Sequence, residues 1–194
     1  MMNFNFNISE LIFVMPELFL LAAISCILLF DLYVKEELKK FTYHLSQLAL
    51  LITGLLAFNL IGENVTIFSG TFVLDTLGST FKVFIAGFSI IVLVYSRYYL
   101  SVHSLLRNEY FILALMSILG MLVMVSGHSL LTLYLGLEIM SLSLYALIAT
   151  ARDRAFAIEA ALKYLLLGAI ASGLLLYGMS MIYGITGNLD IAQI

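Results

Sequence analysis

Six apolar runs follow one another along this chain, at about residues 11–30, 41–61, 77–95, 110–125, 129–149 and 156–183. Each is close to the ~20 residues that a helix needs to cross the hydrocarbon of a bilayer. The joints between them are too short to fold an aqueous domain, so residues 1–194 read as a single transmembrane unit. Composition agrees: 63% of residues are hydrophobic, 11% are charged and the mean hydropathy is +1.11, far outside the soluble range. The expected fold class is an all-α integral membrane protein of six helices.

One joint departs from the helical pattern. Val65–Thr66–Ile67–Phe68 and Thr71–Phe72–Val73–Leu74 flank Ser69–Gly70. Two β-prone runs around a Ser-Gly turn predict a short hairpin at about residues 65–74. Charge then sets the expected orientation. Seven of the nine Lys and Arg lie in three joints, 31–41, 96–109 and 151–155; the remaining two, Lys82 and Lys163, lie inside spans. By the positive-inside rule those three joints face the cytoplasm or matrix. The hairpin and both termini, N and C, are then expected on the outer side.

Other functional classes find little support. Cys26 is the single cysteine, which excludes an internal disulfide and a Cys-ligated cluster. His44, His103 and His128 are scattered, so no metal site is expected. No phosphate-binding glycine loop follows a strand, and no basic, aromatic-interleaved patch points to nucleic acid. A lone six-helix transporter predicts a broken helix at mid-membrane, but Pro16 is the only proline and sits at the start of the first span. The N-terminus MMNFNFNISE lacks Lys and Arg, so it is neither a secretory signal nor an import sequence.

The fifth span carries the sharpest functional signal. Glu138 sits near the middle of LLTLYLGLEIMSLSLYALIAT. A carboxylate there costs roughly 2.5–3.5 kcal/mol on insertion scales, which makes it a candidate for ion or proton handling. Tyr134, Glu138, Ser141 and Tyr145 fall at helical spacing and form one polar stripe, expected to face protein or trapped water. Lys163 on the next span supplies a base within about one turn of the same depth. A direct or water-bridged contact is feasible, and the state of Glu138 would then bias whether Lys163 keeps its proton. The alternative is an intrahelical pair, because Glu159 precedes Lys163 by the favourable four residues. Two further charges are ambiguous. Lys82, about a turn into the third span, reads as a base that snorkels to the outer interface, or as part of a buried polar path. Glu17, beside Pro16, reads as an interfacial acid at a helix N-terminus. On the sixth span, Gly168/Ser172 and Ala169/Gly173 have the spacing that lets helices approach closely in lipid.

LYLGLEIMSLSLYALIA, followed by EAALKYLLLGAIASGLLLYGMSMIYGITG, resembles the antiporter-like membrane subunits of respiratory complex I. Within them it is most similar to the type called subunit N, or NADH dehydrogenase subunit 2 in mitochondria. MPE in the first span, the hairpin, and Phe81–Lys82 opening the third agree with this. The resemblance implies fourteen helices with two inverted repeats, and proton translocation driven by quinone reduction in other subunits. It matches Glu138 and Lys163 to the family's glutamate and lysine of the fifth and sixth helices. It implies no cofactor on this chain: NADH, FMN, Fe–S clusters and ubiquinone belong to other subunits.

The chain departs from that pattern by stopping after the sixth helix. The family's later lysines and second repeat are expected either from a second chain supplying those helices, or not at all in a reduced scaffold without a channel. Membership implies other complex I membrane-arm subunits and lipids as partners, and a related cation/proton antiporter as the nearest rival. Composition rich in Phe, Tyr, Ile and Leu without Trp suggests a mitochondrial inner-membrane protein encoded in the organelle, with a bacterial plasma membrane as the alternative.

Overall fold

A computed structural model describes residues 8–33, 41–103 and 105–194. Six helices account for most of it: α1 (Met15–Tyr33), α2 (Phe41–Asn59), α3 (Thr76–Val102), α4 (Asn108–Ser126), α5 (Leu130–Ile148) and α6 (Ala155–Thr186). All six are long and apolar enough to cross a membrane. A 3-10 turn, Ile8–Val14, leads into α1. Pro16 falls in the first turn of α1, where a missing N–H breaks no helical bond. Between α2 and α3 lie β1 (Val65–Ile67) and β2 (Phe72–Leu74), paired antiparallel with Val65 opposite Leu74. The fold is thus all-α with a small two-stranded hairpin, as the sequence led us to expect. Lys35, Lys39 and Lys40, which weigh in the charge argument, lie outside the described residues.

The core gathers around α4. Phe111, Leu115, Ile118 and Leu122 of α4 meet Leu20 and Ile24 of α1, Leu50 of α2 and Leu93 of α3. The closest backbone approach is between α4 and α5. A Cβ at Gly120 would stand 2.6 Å from the Gly136 carbonyl, and one at Gly136 2.9 Å from the Gly120 carbonyl. Without side chains there, the two helices touch backbone to backbone, the arrangement that small residues permit in lipid. Three glycines of α6 behave otherwise: Cβ atoms at Gly173, Gly178 and Gly184 would meet nothing within 4 Å. The close crossing is therefore on α4 and α5, whereas α6 packs chiefly on α5 and leaves most of its surface bare.

At one end of the bundle the joints form a continuous belt. Phe72 of the hairpin bridges to Gly127, and Ser129 bridges to Asp190. His128 donates its backbone N–H to Thr71, and Leu130 and Ile191 bond to Leu189 and His128. Glu10, before α1, accepts from the Phe68 backbone N–H. The residues leading into α1, the hairpin, the α4–α5 turn and the segment after α6 therefore share one end. The opposite end is held by charge: Arg107 pairs with Asp153 at 2.5 Å and Arg152 with Glu109 at 2.8 Å.

Candidate functional site

The site divides into two places. The first lies between α5 and α6. Glu138, half-buried near the middle of α5, accepts a short hydrogen bond from Ser172 of α6. Tyr145, two turns further on, packs edge-on against Tyr164 at 4.8 Å and lies over Gly168, where any side chain would collide with its ring. Gly168 and Ser172 therefore do matter, but as a notch for Tyr145 and a donor to Glu138. Tyr134 lines the groove between α5 and α6 towards the hairpin end, with Leu176, Met179 and Tyr183. Ser141 is buried, but its hydroxyl donates to the Leu137 carbonyl at 2.6 Å. Three members of the expected stripe thus face α6, and the fourth is turned back on its own helix.

The expected Glu138–Lys163 contact is not made. Lys163 Nζ donates to Glu159 at 2.5 Å, and both side chains stand mostly exposed, at 70% and 63%. Helical geometry gives the reason. Lys163 precedes Ser172 by nine residues, about 13 Å of axial rise, and nine steps at 3.6 residues per turn place it half a turn around. A lysine that far from Ser172 cannot share its carboxylate. The alternative intrahelical pair is the one formed.

The second place decides the two ambiguous charges. Lys82 does not snorkel but takes the other reading, part of a buried polar pair, and Glu17 is no interfacial cap. Lys82 Nζ stands 2.6 Å from Glu17 Oε1, with side chains only 1% and 5% exposed. The ammonium also lies 5.1 Å from the Phe72 ring centre, a cation–π distance. Glu17 is in the first turn of α1 and Lys82 in the second turn of α3, so both are near the hairpin end. The hairpin folds over them: Val14, Ile67 and Phe72 form a small buried apolar cluster there. Two charges read separately along the sequence become one buried pair once α1 and α3 are brought together beneath that cover.

Six apolar helices, a hairpin covering one end, and ionisable side chains within the spans define a polytopic membrane protein. Known proteins carry this further. Residues 127–194 match the family described as "NADH:quinone oxidoreductase/Mrp antiporter, TM". Over all of this chain, NADH-quinone oxidoreductase subunit N of Ruthia magnifica subsp. Calyptogena magnifica is 64% identical, and the match covers 40% of that relative. A chain in the structure of respiratory complex I from Thermus thermophilus with bound aureothin superposes at TM-score 0.74 with 28% identity, over 91% of this chain and 38% of that one. A chain of the archaeal membrane-bound sulfane sulfur reductase superposes at TM-score 0.75 with 23% identity, over 93% of this chain and 38% of its own, a likeness of fold. The chain is therefore homologous to the antiporter-like membrane subunits of respiratory complex I, and among these to subunit N of NADH-quinone oxidoreductase. It spans about 40% of the length of the curated relatives it matches.

Proposed function

We propose that this chain serves in the membrane arm of an NADH:quinone oxidoreductase, where it takes part in moving protons while quinone is reduced in other subunits. The observation that carries the reading is Glu138: a carboxylate at mid-span, held between two helices by Ser172 rather than turned to lipid. Ionisable groups so placed mark proton paths. Moving a proton against a membrane potential costs about 2.3 kcal/mol per 100 mV, so the driving energy comes from the quinone reaction. The relatives are bacterial, which favours a bacterial plasma membrane over a mitochondrial one. In that membrane the three basic joints face the cytoplasm and the hairpin end faces outward.

The bare surface of α6 supports a further part of the reading. Leu166, Leu167, Ile170 and Leu174 stand exposed on it, beside Lys163 and Glu159. We infer that the remaining helices of the subunit type, in the same or a second polypeptide, pack here and give Lys163 a buried setting. A second reading, a scaffold without its own channel, is favoured by the Lys163–Glu159 pair, which spends the lysine's charge locally.

Membranes carrying the assembled complex with Glu138→Gln test the main reading. Electron transfer from NADH to quinone is expected to persist or slow, with proton uptake into inverted vesicles falling by on the order of tenfold or more. Unchanged uptake sinks the proton-handling role and leaves the scaffold. Mass spectrometry of the gently solubilised complex identifies what covers α6.

A further inference from the structure

Beneath the hairpin the chain holds more polar capacity than its own atoms satisfy. Lys82 Nζ and Glu17 Oε1 form a close ion pair at 2.6 Å. Among the described residues, the Lys82 ammonium, the Glu17 carboxylate and the Ser126 hydroxyl are shielded from the surface, and beyond the ion pair itself no other side chain hydrogen-bonds to them. Ser126 is next in sequence to Gly127, which bridges to Phe72, over whose ring the Lys82 ammonium lies. An ammonium offers three donors and a carboxylate about four acceptor sites. A buried ion pair repays its desolvation only when those remaining sites are also met. Water is what commonly meets them where polar groups converge.

The hairpin that covers the pair has a strained tip. Phe68 and Ser69, at the tip of the hairpin, hold φ values of 53° and 56°, a left-handed backbone that non-glycine residues adopt at a cost. Strain of this kind is kept where a segment switches or clamps. A hydrogen bond from the Phe68 N–H to the Glu10 side chain ties that tip to the turn before α1.

We propose that Glu17 and Lys82 form a proton-exchange site, separate from Glu138, that is hydrated from the hairpin end and passes protons to it. This rests on the proton-translocating reading above. The ammonium gives one N–H proton to the adjacent carboxylate, leaving a neutral amine and a neutral acid. The acid's O–H bond then breaks and its proton leaves to water at the hairpin end. The amine takes a proton from water on the interior side and the charged pair is restored, so one proton enters and one leaves. The apolar cluster of Val14, Ile67 and Phe72 keeps the pair out of open water between these steps.

The test uses the assembled complex in inverted vesicles, with Glu17→Gln/Lys82→Met beside Glu138→Gln. A pair that only packs tolerates being neutralised on both sides; a proton site does not. The double variant is expected to assemble and to lose on the order of tenfold or more in proton uptake. If it assembles and takes up protons like the parent while Glu138→Gln does not, this proposal falls and the general reading stands. If neither variant changes uptake, the general reading falls and takes this site with it. Should the double variant not assemble, the unaltered complex is treated with a hydrophobic carbodiimide and its peptides mapped. Modification of Glu17 reports a carboxyl that gains a proton in place and supports the site; an unmodified Glu17 overturns it.

Discussion

α4 and α6 draw on nearly the same stock of Leu, Ile, Ala, Met and Gly, and the fold treats them in opposite ways. Within its most apolar stretch, 56% of α4 is buried, whereas for α6 the figure is 0%. α4 is hemmed in by α1, α2, α3 and α5, and α6 has α5 as its main neighbour. Their glycines divide likewise: Gly120 admits the α5 backbone, while Gly173 and Gly178 admit nothing. So do their charged neighbours. The Glu–Lys pair on the α1–α4 side bridges two helices and is buried; the pair on α6 stays within one helix and is exposed. The lesson is that hydropathy marks a span but not its surroundings, since lipid tails are as apolar as leucine.

Several substitutions would sharpen or break this contrast, read as the temperature at which the solubilised chain loses its native state. Lys82→Met alone should be the most damaging, about 3–5 kcal/mol, because it strands the Glu17 carboxylate without its partner. Adding Glu17→Gln should recover much of that loss; no recovery would mean that the pair is not a closed unit. Gly120→Val comes next. Its new side chain meets backbone atoms of α5 rather than a yielding side chain, so overpacking should cost about 1–3 kcal/mol or more. If the variant is as stable as the parent, the α4–α5 crossing is looser than described.

Ser172→Ala should follow. It removes the donor to Glu138 and leaves a half-buried carboxylate oxygen bare, at about 1–3 kcal/mol. A smaller effect is expected from Lys163→Met, which breaks an exposed intrahelical pair worth about 0.5 kcal/mol. A large loss of stability there would reveal a second partner for Lys163. Smallest is Gly178→Ala on the bare flank of α6. With nothing within 4 Å of the new methyl, it should be neutral or add up to about 1 kcal/mol through helix propensity.

The candidate site was partly legible. Glu138 announced itself because an acid amid twenty apolar residues is costly, and Tyr134 and Tyr145 followed from helical spacing. Lys163 was legible as a base but not as a partner. Its sequence proximity to the α5 stripe hid the half turn that separates it from the contacting face. For Glu17 and Lys82 it was the pairing that stayed hidden. Glu17 read as an interfacial acid and Lys82 as either snorkelling or buried, and no local pattern links residues so distant along the chain. The small residues of α6 were legible as small, but spacing alone could not say which helix would use them.

By itself, then, the sequence determined the six spans, the hairpin around Ser69–Gly70, and the clustering of most basic residues in three joints. These follow from local causes: bilayer thickness, backbone hydrogen bonding and turn chemistry. Tertiary structure alone decided that α4 is central and α6 peripheral, and that Gly120 faces Gly136. It also decided that Lys82 answers Glu17 while Lys163 answers Glu159. Those outcomes depend on which faces meet across helices, and among uniformly apolar faces the choice rests on shape and on where a charge can find its partner.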